Sequence, residues 1–537
     1  MATNYQPMSI KILVDKEKNQ VLYAVSNHDF VDVLFSFLTV PMGTITRLLR
    51  HPQSSSSEIG CMNKLYESAQ NISTSYLHTD ACKKMLLNPH SASEAECSKL
   101  KLNLEGRKHR ELYLCGTFSA ECLLSPYYGV TCSCGSLTTH NAYIEETSCV
   151  SGADNVGPDG VFVTPGEQYI VSNDLQVMAG SISTCMFMLD KLGIGDDVSK
   201  VEERTVTMGV QEMLQLLRRS WISQTPLTDV FLTNQRAMEA VRIEPSRTIS
   251  CRNENATGSM NKKFQVKLVL RKLTNQVLYA EADHDFVDQL FSFLTLPLGS
   301  VFNFFGGECF LKGSIQNIYS SAIELSSNGM LKSKEGETLL TRPKLSPFYG
   351  CDNQLLCIEE DAPPRYNCKQ RKGNGWTLFV LTELDSASTN DSRSPGKKNS
   401  LSMDGLAVMN PKIPLSKSNI QGGFVNGNSK FMVTDDLVVT PLSHASCLFF
   451  LRRLNVPYHD IEERIVNVGK EEVLNLLKAS LISDTALSTL VEATDDMLPI
   501  INLEKNLCFG NPKRKQVKPL TISEILNILG NKVESND

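Results

Sequence analysis

The chain has 537 residues, more than one hydrophobic core supports, and its 41% apolar and 21% charged content is ordinary for a globular protein. A formal net charge of −6 is small for this length, which argues against a globally basic nucleic-acid binder and against an acidic solvating protein. The first twenty residues lack a charged segment followed by an apolar one, and no apolar run reaches the roughly 18 residues a membrane span needs. The expectation is a cytoplasmic or nuclear protein, not secreted and with no membrane partner, whose 16 cysteines sit in a reducing compartment.

Taken in chain order, Ile10, Ile12 and Val14 alternate with Lys11, Leu13 and Asp15, the pattern of a half-buried strand. Lys16–Asn19 is a polar turn and Val21–Val25 a β-branched, aromatic run, so a hairpin is expected. A helix follows. Asn27 suits its N-cap, Asp29 its positive end, and Phe30, Leu34, Phe37 and Leu38 fall at helical spacing until Pro41 and Gly43 stop it. Loose polar stretches at 52–57 and 151–160 mark the middle of the unit. Beyond them come a strand pair, Tyr169–Val171 and Leu175–Val177, and a helix near Ile182–Leu192 capped at Gly193. A strand at Thr205–Met208 leads into a helix from Val210 to Ser220, with Met213, Leu214 and Leu217 on one face.

The same order then recurs. VLYAVSNHDFVDVLFSFLTVPMG (Val21–Gly43) matches VLYAEADHDFVDQLFSFLTLPLG (Val277–Gly299). Tyr169–Asp190 matches Phe431–Arg452, and VEERTVTMGVQEMLQLLRRSWIS from Val201 matches IEERIVNVGKEEVLNLLKASLIS from Ile461. Shorter pairs are Ser68-x-Gln70-Asn71-Ile72 with Ser314-x-Gln316-Asn317-Ile318, and Ser125-Pro126-Tyr127-Tyr128-Gly129 with Ser346-Pro347-Phe348-Tyr349-Gly350. The fold class expected is therefore α+β, as two homologous tandem domains. Each has an N-terminal β-hairpin plus helix, a loop-rich middle and C-terminal strand–helix units. The boundaries are 1–240 for the first copy, 241–262 for a linker, 263–496 for the second copy with a disordered insert near 385–420, and 497–537 for a C-terminal tail.

The opening LVDKEKNQVLYA…DFVDVLFSFLTVPMG and the endings SNDLQVMAGSISTCMFMLDKL and TVTMGVQEMLQLLRRSWISQTPLTDVFL resemble the plant family catalogued as domain of unknown function 674, over nearly the whole chain. The resemblance implies a plant protein, commonly with repeated units, of unassigned activity. It also implies two cysteine pairs, spaced like a zinc ribbon, in the middle of a unit. This chain departs from that pattern. Its first copy has Cys115 and Cys122, then Cys132 and Cys134, while the second has only the scattered Cys351, Cys357 and Cys368.

Four thiolates can enclose Zn²⁺ tetrahedrally, so Cys115, Cys122, Cys132 and Cys134 are the candidate ligands of a structural zinc in the first copy. Their spacing, six residues and then one, is poor for zinc; the competing reading is unliganded cysteines in a loop. His28-Asp29 and His284-Asp285 are the only histidines held in register, and could serve as metal ligand or general base. Their place at a helix start makes the aspartate's service to the helix dipole the simpler reading. Cys185 and Cys447 lie inside apolar helices and read as core. Gly160-Val161-Phe162-Val163 pairs with Gly422-Gly423-Phe424-Val425, but neither has a nucleotide-binding signature. The tail carries Lys513-Arg514-Lys515 and a capping box, Thr521 to Glu524, before a short amphipathic run.

No reactive group recurs with catalytic spacing, so no catalytic or cofactor-binding residue is assigned. The function expected is a non-enzymatic protein-interaction or scaffold protein with two related binding surfaces and an unidentified protein partner. The alternatives are a zinc-containing nucleic-acid binder using the first copy's cysteines and the basic tail, and an enzyme of unrecognised type with His28 or His284 as base.

Overall fold

The computed structural model describes residues 7–50, 59–104, 111–118, 122–145, 160–194, 198–232, 262–351, 353–373, 376–384, 402–413 and 422–492. The tail, most of the expected linker and the stretches 385–401 and 414–421 of the expected insert lie outside them.

The first repeat opens with β1 (Met8–Asp15) and β2 (Gln20–Ser26), joined by a turn in which Asn19 has φ 48°, a left-handed conformation that asparagine tolerates. Next come α1 (His28–Ser36), α2 (Met42–Leu49), α3 (Met62–Asn71), α4 (Asp80–Leu87) and α5 (Glu94–Cys97). They are followed by β3 (Leu112–Cys115), β4 (Thr138–Ile144), β5 (Tyr169–Ser172), β6 (Val177–Ala179), α6 (Ile182–Lys191), β7 (Val201–Met208), α7 (Val210–Ile222) and α8 (Pro226–Phe231). The second repeat runs β8 (Phe264–Arg271), β9 (Gln276–Asp283), α9 (His284–Ser292), α10 (Leu298–Phe304), α11 (Ile315–Ser327) and α12 (Lys334–Thr341). It continues with β10 (Arg365–Gly373), β11 (Trp376–Glu383), β12 (Ser402–Ala407), β13 (Lys430–Thr434), β14 (Val439–Pro441), α13 (His444–Arg453), β15 (Ile461–Val468), α14 (Lys470–Ile482) and α15 (Thr489–Glu492). The protein is α+β. Pro41 does stop the first helix, but it also opens the next as its N-cap, so Gly43 lies inside α2 rather than after a helix end. Leu175 sits in the turn before β6, at φ 63°.

Two five-stranded antiparallel sheets have the same strand order, β6-β5-β2-β1-β7 and β14-β13-β9-β8-β15. Both carry a register irregularity at the same place in the first hairpin, between Leu13 and Val14 and between Val269 and Leu270. Period-two alternation points Ile10, Ile12 and Val14 inward and Lys11 out.

The helices cover these sheets crosswise. α3 lies against the second repeat's sheet, where the Ser68 hydroxyl accepts the Val439 N–H at 2.9 Å. α11 lies against the first repeat's sheet, where Ser321 accepts the Val177 N–H at 2.8 Å. Gly60, ahead of α3, meets the end of α14: a Cβ there would stand 2.6 Å from the Ser480 carbonyl oxygen. Gly313, ahead of α11, meets the end of α7, with the corresponding distance to Ser220 only 2.3 Å. Extended segments cross as well. His78 N–H donates to Phe424 O (3.0 Å) and Asn426 N–H to Tyr76 O (2.8 Å), while Lys332 N–H donates to Phe162 O (2.9 Å) and Thr164 N–H to Met330 O (3.0 Å). At the centre the two Pro-x-Gly segments exchange backbone hydrogen bonds, Met42 N–H to Leu296 O (2.8 Å) and Leu298 N–H to Val40 O (3.1 Å). A Cβ on Gly43 would fall 2.9 Å from Leu294 O across this exchange, and one on Gly299 2.1 Å from Leu340 O of α12, so glycine admits both approaches.

One apolar core therefore carries both repeats, with Phe30, Phe35 and Phe37 and their counterparts Phe286, Phe291 and Phe293 fully buried in it. These contacts also set the internal register. Ser68 is equivalent to Ser321, and Tyr66 to Tyr319, so the pairing of Ser68 with Ser314 is seven positions out. Seven residues are close to two turns of a helix at about 3.6 residues per turn, which is why the wrong register still presents a similar face.

The third sheet, β12-β10-β11-β4-β3, mixes strands of both repeats, with β11 and β4 parallel. It closes on itself. Tyr113 of β3 exchanges backbone bonds with Ser125 (2.8 and 2.9 Å), and neighbouring Leu124 donates to Ala407 O (3.0 Å) and accepts from Met409 (2.8 Å). The result is a small barrel filled by inward residues such as Leu114, Leu124, Tyr366, Cys368, Phe379 and Leu381.

Candidate functional site

The four first-repeat cysteines come together at one end of this barrel. Cys115 ends β3, and Cys122 lies just ahead of the Leu124–Ser125 segment that pairs with it. Cys132 and Cys134 occupy a tight turn closed by Cys132 N–H to Ser136 O (2.8 Å) and Gly135 N–H to Cys132 O (2.8 Å), with Gly135 at φ 85°. All four Sγ atoms lie within 4.8 Å of one another, Cys115 being 3.1 Å from Cys122 and 3.5 Å from Cys134. Tetrahedral zinc at about 2.3 Å from sulfur sets its ligands about 3.8 Å apart, so these four cysteines could hold a metal ion. Three are buried and Cys134 is partly exposed. The Ser136 N–H aimed at Cys134 lowers its thiol to about 6, while burial and the neighbouring thiols push Cys115 up to about 12. The six-residue gap between Cys115 and Cys122 does not separate their sulfurs, because the two lie on paired extended segments, not in one turn. This is the one group of potential metal ligands among the described residues. In the second repeat Cys368 is inside the barrel, Cys351 is half-buried and Cys357 is exposed.

The His–Asp doublets are tied into local networks. His28 Nε2 stands 3.5 Å from Asp29 Oδ1, and Asp29 is held by Lys101 Nζ (2.5 Å) and Asn27 Nδ2 (2.8 Å). The Asn27 side chain thus serves Asp29 rather than capping α1, whereas Asp283 does cap α9, accepting the Phe286 N–H at 3.1 Å. His284 Nε2 is 3.6 Å from Asp285 Oδ1, which accepts from Asn353 Nδ2 at 2.5 Å.

Sequence reasoning passed over the second aspartate of each doublet block. Asp32 is buried and accepts the N–H groups of Val161, Phe162 and Val163 at 2.6, 2.9 and 3.0 Å. Asp288 accepts those of Phe424 and Val425, both at 2.9 Å. The paired Gly-Val-Phe-Val and Gly-Gly-Phe-Val stretches are therefore anion-binding loops for the chain's own carboxylates. Lysines brace both loops from the carbonyl side: Lys332 Nζ donates to Gly160 O (2.9 Å) and the buried Lys412 to Gly422 O (2.6 Å). Desolvation pushes both carboxyls above the usual range, Asp288 to about 7, against the downward pull of the N–H donors and, at Asp288, of Lys412.

α6 and α13 occupy equivalent places on the outer faces of their sheets. Each is capped by a serine, Ser181 accepting from Thr184 N–H and Ser443 from Ser446 N–H, both at 3.0 Å. Each fully buries a single residue, Met188 or Leu451. Cys185 and Cys447 are half-buried on the inner side, against Tyr23 and Tyr279. Outward, α6 exposes Ile182, Met186 and Phe187, and α13 exposes Leu448 and Phe449, with Leu192, Leu454 and Tyr458 beyond the helix ends. Both helices carry apolar side chains on their outward as well as their inward side, a pattern that ordinarily marks burial.

The sequence matches the family model described as "Protein of unknown function (DUF674)" over residues 4–471. The chain belongs to this family. Among curated proteins and among solved structures, nothing matches. The DUF674 match spans the cysteine cluster, both buried aspartates, α6 and α13. Among the described residues, no helix is long and apolar enough to cross a membrane.

Proposed function

We propose that this DUF674 protein is a non-enzymatic interaction scaffold with two related binding surfaces, the outer faces of α6 and α13, and that a structural zinc on Cys115, Cys122, Cys132 and Cys134 staples its barrel. The observation that carries this reading is the duplicated exposure of apolar side chains. Phe187 is 61% exposed and its equivalent Phe449 is 70% exposed, each preceded by an exposed Met186 or Leu448. Both repeats carry a large exposed apolar pair at this equivalent place. Contiguous exposed apolar surface marks interaction sites, and two such faces on one body add avidity.

Because the four side chains face outward, serine at Met186 and Phe187, or at Leu448 and Phe449, is expected to leave the circular dichroism spectrum and the urea midpoint unchanged. Cross-linked partners recovered with the native chain should weaken about 100-fold or more when one face is changed, as avidity is lost, and disappear when both are. The same partners held equally well by the fourfold variant would sink the reading.

Elemental analysis of the reduced, purified full chain should give close to one zinc per chain, lost in a Cys132→Ser, Cys134→Ser variant. Thiolate ligation is released by chelation or acid, so a chelator should open the barrel end to amide exchange while the two outer sheets stay protected. Folded, reduced protein without zinc would remove the staple from the proposal.

A further inference from the structure

We infer that the α13 face selects an acidic amphipathic helical segment of a partner protein, whereas the α6 face takes an apolar stripe with no charge preference. This rests on the reading of both faces as binding surfaces. The two helices share their apolar positions and differ in charge. Asp190 and Lys191 at the end of α6 cancel, while the equivalent Arg452 and Arg453 of α13 add. His444 stands where α6 has Ile182. On a helix, residues four apart are neighbours, so Arg452 crowns Leu448 and Arg453 crowns Phe449 on the exposed side.

The carboxylates that follow α13 in the chain are already engaged. Asp460 holds Arg271 Nε at 2.8 Å, Glu462 holds Arg464, and Glu463 lies 3.4 Å from Lys267 Nζ. Neither Arg452 nor Arg453 forms an ion pair among the described residues, so the rim of the apolar patch is open to added negative charge. The patch runs along ten residues, about 15 Å, the footprint of a two- to three-turn helix. An anionic membrane fits less well. Interfacial helices carry their cations opposite the apolar face, but here the arginines share that face, and inserting it into acyl chains would bury both.

The test uses the immobilised full chain and a displayed library of amphipathic helical peptides with randomised polar flanks. Peptides lost on Phe449→Ser should be enriched in Asp and Glu at their flanks. Arg452→Glu with Arg453→Glu should cost the best of them about tenfold or more in affinity and flatten its salt dependence. Phe187→Ser should leave those peptides bound. Neutral or basic flanks, or no α13-dependent peptide at all, would overturn the inference. If serine at Leu448 and Phe449 still removed the cross-linked partners, the two-surface reading would survive that result. Arg452- and Arg453-dependent capture of phosphatidylcholine–phosphatidylserine vesicles, without acidic peptides, would overturn it in favour of a membrane.

Discussion

Residues 1–240 expressed alone will not form a stable monomer. The first repeat's sheet would lose α11, whose Ile315, Ile318, Tyr319 and Leu325 are buried in the shared core. At about 1.5–3 kcal/mol for each large apolar side chain, these four contribute roughly 6–12 kcal/mol, as much as the whole net stability of an ordinary domain. α3 would at the same time lose β14 and α14, the barrel would lose β10, β11 and β12, and Val40–Met42 would lose its central partner. Sedimentation and circular dichroism should show either an unfolded, aggregating chain or a dimer in which two copies exchange helices as the two repeats do. Mixing with residues 262–492 should yield a folded one-to-one complex. A monomeric first repeat that unfolds cooperatively, with native-like helix content, would refute this.

The second large effect is at Asp288. Alanine there leaves the Phe424 and Val425 N–H groups buried without an acceptor, at a cost of about 2–6 kcal/mol, read as a shift of the urea midpoint. Asparagine retains an acceptor oxygen and separates hydrogen bonding from charge. Burial raises the folded-state pKa to about 7, well above the ordinary value of about 3.9 for an aspartate. The folded state thus holds a proton that the unfolded chain has released. This stabilising contribution is complete below the unfolded pKa, falls as pH rises at up to about 1.4 kcal/mol per unit, and is gone above about 7. Native protein minus Asp288→Asn should therefore show stability declining from about pH 4 to about pH 7 and flat beyond. A difference that rises with pH over that range would mean the carboxylate is held charged by its N–H donors and Lys412.

Several features were legible without coordinates. Alternation at Ile10, Ile12 and Val14 and helical spacing at Phe30 and Leu34 fixed the opening hairpin and helix, because local periodicity reports which side of an element is apolar. The α+β class followed from the same signals, and the first repeat's four cysteines stood out as residue types suited to a metal. The spacing of Cys115 and Cys122 did not reveal that their sulfurs meet, because chain separation measures a turn, while two paired segments bring distant sulfurs together.

Tertiary structure alone decided the rest. Periodicity does not say which element covers an apolar face, so the crosswise covering of each sheet by the other repeat's helix had no local signature. The same limit hid the barrel, whose strands come from both repeats. Asp32 and Asp288 carried no signal in the sequence, and only the returning Gly-Val-Phe-Val and Gly-Gly-Phe-Val loops make them buried acceptors. α6 and α13 looked like core helices by composition. They are exposed because each lies on the outer face of a sheet whose inner face already meets the shared core, and nothing among the described residues packs over their outward side chains.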